Sequence, residues 1–239
     1  MELCLEPVDT RRLGDDELRL LALNFGVAKL AALKLRQCPV TDEGLRHLSI
    51  WSSYLRQLTL DWCKGVTGAG LEDLATLTHL TELGLGRTGV TDDGLVNLAG
   101  LPDLRDLDLS YTGVTDAGLP HLAEIPGLGA LNLGGTGITD AGLPHLAEIP
   151  GLGALKLGGT GITDAGVEHF ARFTRLTGLD LSCTGVTDAG LAHFADLTHL
   201  PLTKGGFGYR GIFVQGCEGV THAGVVALRA KLPECEIIW

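Results

Sequence analysis

The feature that most constrains the fold is a tandem copy of 24 residues in the middle of the chain. Residues 117–140 read AGLPHLAEIPGLGALNLGGTGITD, and residues 141–164 repeat that segment with one change, from Asn132 to Lys156. Such a copy predicts one structural unit stacked on itself, because a unit that buries its apolar face only against a neighbour has to be repeated. The leucine spacing continues in both directions, so we expect this unit to organise the whole chain.

Each unit predicts one short strand followed by one helical segment. Segments of the form LxxLxL begin at Leu30, Leu55, Leu80, Leu104, Leu128, Leu152 and Leu176. In LxL the two leucines point to one side and their neighbours to the other, which is typical of a strand, and we expect these strands to stack in parallel.

A Thr-Asp pair after each strand predicts a helix start, since threonine can cap a helix and a carboxylate favours its positive end. In the segment 92–101, for example, we expect Thr91 to be the cap. Pro120 and Pro144 would lie in the second turn of such helices, so we expect those two helices to start late or to be kinked.

The net charge of −11, without a cluster of Lys or Arg, argues against binding to nucleic acid or to an anionic membrane. No run approaches the roughly 20 apolar residues that a membrane span needs. The amino end has neither the basic nor the apolar region of a signal peptide, so we expect a cytoplasmic protein.

The six cysteines lie far apart and form no CxxC pair, so neither a zinc site nor a disulfide framework is predicted. Cys38, Cys63 and Cys217 share a repeat position that holds threonine in the other units. We expect them to be small, buried and reduced.

Two further columns of polar residues could suggest a metal. His47, His121, His145, His169 and His193 share one helical position. Helices of neighbouring units lie about 8–10 Å apart, which is too far for the ligands of one zinc ion. The aspartates of the Thr-Asp pairs are explained by their place at helix starts, so we expect neither a metal nor a cofactor.

The whole chain predicts a single repeat domain, 1–239. Residues 1–29 form a degenerate capping unit, 30–200 form seven repeats, 201–211 an insertion loop, and 212–239 the last repeat and the carboxyl-terminal cap. The insertion follows from the spacing of Thr187 and Thr221, which is 34 residues instead of 24. Such a loop can be functional, but a neutral insertion is favoured because lengthening a surface loop costs little.

The pattern LxxLxLxx[TC]x[VI]TDxGLxxLAxL resembles leucine-rich repeats of the ribonuclease-inhibitor-like class. The Cys position and the VTDxGL turn are similar to the cysteine-containing repeats of F-box receptors and GALA-type bacterial effectors. The resemblance implies an α/β fold: a right-handed solenoid with a parallel sheet on its concave side and helices on its convex side. It also implies protein binding as the usual role. Residues 1–29 serve as a cap, so the F-box part of that biology is not expected here.

The free face of the sheet is the candidate site. Acidic residues lie there beside aromatic residues and an arginine, a combination typical of binding hot spots, whereas the duplicated units offer glycine at the same positions. The partner-binding candidates are Gln57, Thr59, Asp61, Trp62, Glu82, Arg87, Asp106, Asp108, Ser110 and Tyr111. The alternative is that these side chains form an ordinary solvated sheet face.

No catalytic constellation stands apart from the repeat pattern, so the sequence predicts a non-enzymatic module. We expect it to bind another protein, one with a basic patch, on the concave face. Two alternatives stay open: the recognition part of a larger ligase or effector system whose chemistry lies elsewhere, and a structural array without a dedicated ligand.

Overall fold

The computed structural model describes residues 3–5, 13–25, 29–194 and 211–239. These residues form a ten-stranded parallel sheet in which the strands follow one another in chain order. The strands are β1 (Leu3–Leu5), β2 (Leu30–Lys34), β3 (Gln57–Thr59), β4 (Glu82–Gly84), β5 (Asp106–Asp108), β6 (Ala130–Asn132), β7 (Ala154–Lys156), β8 (Gly178–Asp180), β9 (Gly211–Phe213) and β10 (Ile237–Ile238). One strand per repeat is therefore confirmed.

The register places equivalent residues of successive repeats side by side. The middle row of the free sheet face runs through Lys34, Thr59, Gly84, Asp108, Asn132, Lys156, Asp180 and Phe213. This is the row that the leucine spacing predicts, and it continues correctly across the insertion. The alternation of LxL fixes it, since a slip of one residue would turn every buried leucine outward.

The core lies between this sheet and the helical segments. The central leucine of each strand from β3 to β8 is at most 2% exposed, and these residues are Leu58, Leu83, Leu107, Leu131, Leu155 and Leu179. They join the helical leucines in one continuous apolar cluster. The unit therefore buries its apolar side against its neighbours, as a stacked array requires.

The helical segments lie on the other side of the core and are mostly short. The α-helices are α1 (Asp15–Phe25), α2 (Asp42–Leu45), α3 (Leu71–Leu74), α4 (Leu119–Leu122), α5 (Leu143–Leu146), α6 (Asp164–Val167), α7 (Asp188–Phe194) and α8 (His222–Lys231). The 3₁₀ segments are Arg46–Trp51, Gly68–Gly70, Asp92–Gly100, Asp116–Gly118, Asp140–Gly142 and Glu168–Arg172.

The helix expected from Asp92 is a 3₁₀ segment throughout. Its leucines, Leu95, Leu98 and Leu101, are three residues apart, which matches the three residues per turn of a 3₁₀ helix. The expectation of a late start at the two prolines is confirmed: α4 and α5 begin one residue before Pro120 and Pro144, after a 3₁₀ turn.

Threonine caps most of these segments, with its hydroxyl accepting a backbone N–H; Thr139, for example, accepts from Ala141 at 3.3 Å. Thr91 lies at the expected N-cap position of its segment, but its side chain makes no capping bond. The backbone of Thr91 is as extended as that of the other caps, so the difference lies in the side chain.

The aspartates of the Thr-Asp pairs join one repeat to the next, a role that the sequence analysis did not assign. One carboxylate oxygen of Asp140 accepts the backbone N–H of Thr163 at 2.8 Å, and the other accepts its hydroxyl at 2.6 Å. We call this pair of bonds the carboxylate clasp. It recurs with nearly the same distances from Asp15, Asp42, Asp92, Asp116, Asp164 and Asp188.

One clasp is missing because Gly68 replaces the aspartate that would bind Thr91. The backbones of the two repeats approach closely here: a Cβ built on Gly94 would lie 2.4 Å from the Cα of Gly68. In the clasped repeats a carboxylate fills the equivalent space; a Cβ on Gly166, for example, would meet the carboxylate of Asp140. Glycine in the Asp-x-Gly-Leu pattern is thus needed for close packing between repeats.

The shared Thr/Cys position is buried as predicted. Cys38, Cys63 and Cys217 are at most 6% exposed and unpaired. The Cys63 thiol donates to the carbonyl of Leu35 in the preceding repeat at 2.8 Å, and burial raises its pKa to about 12. Such a thiol stays protonated and unreactive.

The two ends follow the predicted order. Strand β1 and helix α1 occupy the expected capping unit, and helix α8 precedes the final strand β10. Residues 195–210, which contain nearly all of the predicted insertion, lie outside the described residues, and the described chain resumes at Gly211 in β9. No helix of the described residues has both the length and the apolar character needed to cross a membrane.

Candidate binding site on the sheet face

The third residue after each strand from β2 to β9 has a left-handed backbone conformation. Its φ angle is 56° at Gln37, 65° at Trp62, 58° at Arg87, 55° at Tyr111 and 57° at Cys183. Gly135, Gly159 and Gly216 occupy the same position in other repeats, with φ between 68° and 71°. We call this the turn position.

A residue with a Cβ is strained at the turn position, by roughly 1–2 kcal/mol relative to ordinary backbone conformations. The duplicated repeats satisfy the same geometry with Gly135 and Gly159. The fold therefore does not require a side chain here. Trp62, Arg87 and Tyr111 occupy three successive turn positions in spite of this strain, which is a pattern often found at functional sites.

These three side chains form a stack. The guanidinium carbon of Arg87 lies 4.3 Å from the ring centre of Trp62 and 3.8 Å from that of Tyr111. Both distances are within the range of a cation–π interaction, so each ring attracts one face of the guanidinium. Much of both rings remains accessible, since Trp62 is 44% and Tyr111 55% exposed. We refer to Trp62, Arg87 and Tyr111 as the arginine stack.

Stacking leaves the edge of the guanidinium unused. The Arg87 side chain makes no hydrogen bond or ion pair with any other residue that the structure describes; its contacts are the two rings. An arginine has five N–H donors in the plane of the group. Arg87 therefore presents a fixed set of donors beside the sheet face.

Asp61 lies at the carboxyl end of β3 and is held by neighbours on both sides. Its Oδ2 accepts from Nε of Arg36 at 3.1 Å, and Nη2 of Arg36 is 3.0 Å away. Its Oδ1 accepts the backbone N–H of Gly86 at 3.1 Å. This carboxylate is thus partly neutralised and fixed in position.

Asp108 is fixed in the same way two strands further on. Its Oδ1 accepts the backbone N–H of Ser110 at 2.8 Å, and its Oδ2 accepts from Nδ2 of Asn132 at 2.9 Å. Asn132 in turn accepts the N–H of Gly134. Only neutral donors serve Asp108 in these bonds, so its negative charge is not cancelled.

Glu82 and Asp106 lie side by side on β4 and β5. Glu82 accepts an amide hydrogen bond from Gln57 at 2.9 Å. Burial by the surrounding residues raises the pKa of Asp106; the carboxylates of Glu82 and Asp108 raise it further, and Lys156 opposes them. This part of the face has an excess of negative charge.

The predicted residues converge on one surface. Six of them line a cavity of about 430 Å³, namely Asp61, Trp62, Arg87, Asp108, Ser110 and Tyr111. The other four, Gln57, Thr59, Glu82 and Asp106, lie on the adjoining strands β3 to β5. Arg36, Gln37 and Gly86, which are not among the predicted candidates, also line the cavity. Arg36 and Gln37 hold the places of Asp61 and Trp62 one repeat earlier, a signal that was available.

The histidine and cysteine columns do not add a second site. Among the described residues, no three His, Cys, Asp or Glu side chains are grouped so as to hold a metal ion. His121 and His145 are half-buried on the helical side of the core, away from the cavity. A larger cavity, of about 740 Å³, lies beside β10 and contains none of the predicted residues.

Comparisons with known proteins agree with the repeat architecture. The sequence model of the family described as Leucine Rich repeat matches residues 76–99, 100–123 and 174–195. A comparison with curated protein sequences gave no significant match.

Two internalin structures from Listeria monocytogenes are similar in fold. Internalin C2 has a TM-score of 0.59 at 24% identity, with 79% of this chain and 74% of that chain covered. The internalin inlF has a TM-score of 0.62 at 20% identity, with 92% and 69% covered. The chain thus has the fold of a leucine-rich-repeat solenoid, with a parallel sheet on one side of the core and helical segments on the other.

Proposed function

We propose that the protein is a non-enzymatic module that binds another protein on the free, concave face of its sheet. The observation that carries this proposal is the arginine stack: three strained turn positions hold two exposed aromatic rings and a half-buried arginine that pack on one another beside a cavity. Exposed tryptophan, tyrosine and arginine side chains are the groups that most often dominate binding energy at protein interfaces. Their fixed positions reduce the entropy lost when a partner binds.

We further propose that the partner presents a basic patch. Glu82, Asp106 and Asp108 give the face a negative charge that described neighbours cancel only in part, and the whole chain has a net charge of −11. Complementary charge speeds association and selects the partner. A cytoplasmic location agrees with the buried cysteines Cys38, Cys63 and Cys217, which form no disulfide, since thiols stay reduced in that compartment. We also propose that these repeats belong to the ribonuclease-inhibitor-like class.

Affinity capture from a native lysate tests this function. The wild type is compared with a variant carrying Trp62→Ala and Tyr111→Ala, and with a control carrying Tyr54→Ala. Tyr54 is 43% exposed and lies outside the sheet face, so the control removes an exposed aromatic side chain elsewhere on the surface. We expect the wild type and the control to retain the same basic proteins, and the double variant to lose them. Retention should weaken as salt rises, because salt screens surface charges.

Identical sets of bound proteins from all three forms would exclude the sheet face as the binding site. If the wild type binds nothing above the background of bare resin, the chain is better explained as a structural array without a dedicated ligand.

A further inference from the structure

We infer that Arg87 is an anchor for a carboxylate, the side chain of an aspartate or glutamate on the partner protein, and that lysine or arginine flanks this residue in the partner. The inference rests on the proposed function and specifies the chemistry of its partner. It assigns opposite charges to two parts of one surface: an acidic side chain binds at the arginine stack, and the flanking basic side chains face the acidic row of Glu82, Asp106 and Asp108.

The geometry of Arg87 supports this assignment. Trp62 and Tyr111 cover the two faces of the guanidinium, so a ligand can reach only its edge. Two parallel N–H donors along that edge match the two oxygens of a carboxylate. The flanking rings also hold the group in place, which reduces the loss of side-chain freedom on binding.

The surrounding charges favour a singly charged ligand. The cavity beside Arg87 is also lined by Asp61 and Asp108, whose carboxylates repel anions. Arg36 neutralises Asp61, whereas the hydrogen bonds to Asp108 come from neutral donors. A phosphate group, with close to two negative charges, would be repelled more strongly than a carboxylate. Basic residues next to the partner's carboxylate would offset the remaining repulsion.

Peptide display tests the inference without knowledge of the partner. A random dodecapeptide library is selected against four forms of the full chain: wild type, Arg87→Gln, Arg87→Lys and the control Arg172→Gln. Arg172 is an exposed arginine on the helical side, so the control loses the same charge elsewhere. Circular dichroism confirms that each form is folded before selection.

We expect peptides selected by the wild type and by Arg172→Gln to contain Asp or Glu within a few residues of Lys or Arg. Arg87→Gln should select basic peptides without the acidic residue. Arg87→Lys should give the same loss, because an ammonium group does not offer the paired donors. For a synthetic wild-type peptide, replacing its acidic residue by the amide should weaken binding about tenfold to a hundredfold, the range for hydrogen bonds to charged groups.

Three results would overturn the inference. If the wild type selects basic peptides that are not enriched in Asp or Glu, Arg87 is not a carboxylate anchor. The proposed function would stay intact. If peptides selected by Arg87→Gln are as enriched in Asp or Glu as those selected by the wild type, the inference about Arg87 also fails. Tighter binding of a phosphoserine peptide than of the matched aspartate peptide would assign the site to phosphate. The proposed function is tested separately, by measuring how the selected peptides bind the double variant Trp62→Ala, Tyr111→Ala. It fails only if every peptide that the wild type selects binds the double variant equally well.

Discussion

The ring of Tyr111 packs so closely against Gly135 that a Cβ on Gly135 would be 2.5 Å from Cδ1 of the ring. Gly135 occupies the turn position one repeat after Tyr111, and it therefore supports the outer end of the arginine stack. In the next repeat Gly159 has the same conformation, but a Cβ there would meet no atom closer than 3.8 Å. Two nearly identical repeats thus offer one glycine in contact with the stack and one outside it.

Replacing each glycine by alanine separates backbone strain from this contact. Gly159→Ala should destabilise the fold by about 1 kcal/mol, because alanine is strained at positive φ. Gly135→Ala should cost about 1 kcal/mol more, since the Tyr111 ring has to leave its contact with Arg87. Chemical denaturation measures both values. In a Tyr111→Ala background, Gly135→Ala and Gly159→Ala should lower the free energy of unfolding by the same amount. If Gly135→Ala still causes the larger loss there, Tyr111 is not the group that it displaces.

Asp92 and Asp93 provide a matched pair for the carboxylate clasp. Both lie in the first turn of the 3₁₀ segment Asp92–Gly100, but only Asp92 binds Thr115, with bonds of 2.8 Å to the backbone N–H and 2.6 Å to the hydroxyl. Asp92→Ala should lower the free energy of unfolding by about 1.5 kcal/mol, while Asp93→Ala should change it by less than about 0.5 kcal/mol. Equal losses would assign the effect to the helix end and not to the clasp.

The clasp at the carboxyl-terminal repeat should depend on pH. Hydrogen bonds from the hydroxyl and then the backbone N–H of Thr221 lower the pKa of Asp188. A carboxyl with a lowered pKa stabilises the fold above its unfolded pKa of about 3.9, and this stabilisation is lost as pH falls through the folded pKa.

Thr221→Val removes the stronger of these two bonds and also the cap that Thr221 provides to Gly224. The difference in unfolding free energy between wild type and variant should be constant near neutral pH. It should then shrink as pH falls from about 4 towards 2, leaving the contribution of the cap. A series of denaturation curves measures it. A difference that does not change with pH would mean that the hydroxyl acts only as a cap.

The sequence predicted the parts of the structure that the repeat period controls. The row from Lys34 to Phe213 follows from the leucine spacing, because the alternation of LxL allows one register only. The buried positions of Cys38, Cys63 and Cys217 followed from the same alignment. Leucine spacing also contained the signal for the 3₁₀ segment at Asp92, since Leu95, Leu98 and Leu101 are three residues apart.

The parts that the sequence did not predict depend on the distance and orientation between repeats. The Thr-Asp pattern showed a helix start within one repeat, but the bond from Asp140 to Thr163 joins two repeats and becomes evident only in three dimensions. The candidate residues Trp62, Arg87 and Tyr111 were named from their types. Their stacking follows from the left-handed turn position, for which Gly135 and Gly159 were the available signal.

The most direct test of the account is to give the arginine stack the residues that the duplicated repeats carry, with Trp62→Gly, Arg87→Gly and Tyr111→Gly in one variant. Glycine relieves about 1 kcal/mol of backbone strain per position, and this roughly offsets the lost stacking and the greater freedom of the unfolded chain. Thermal unfolding and affinity capture are then measured on the same preparation. We predict a melting temperature within a few degrees of the wild type together with loss of the proteins that the wild type captures. A folded variant that captures the same proteins as the wild type would contradict the central claim that the stack is the binding site.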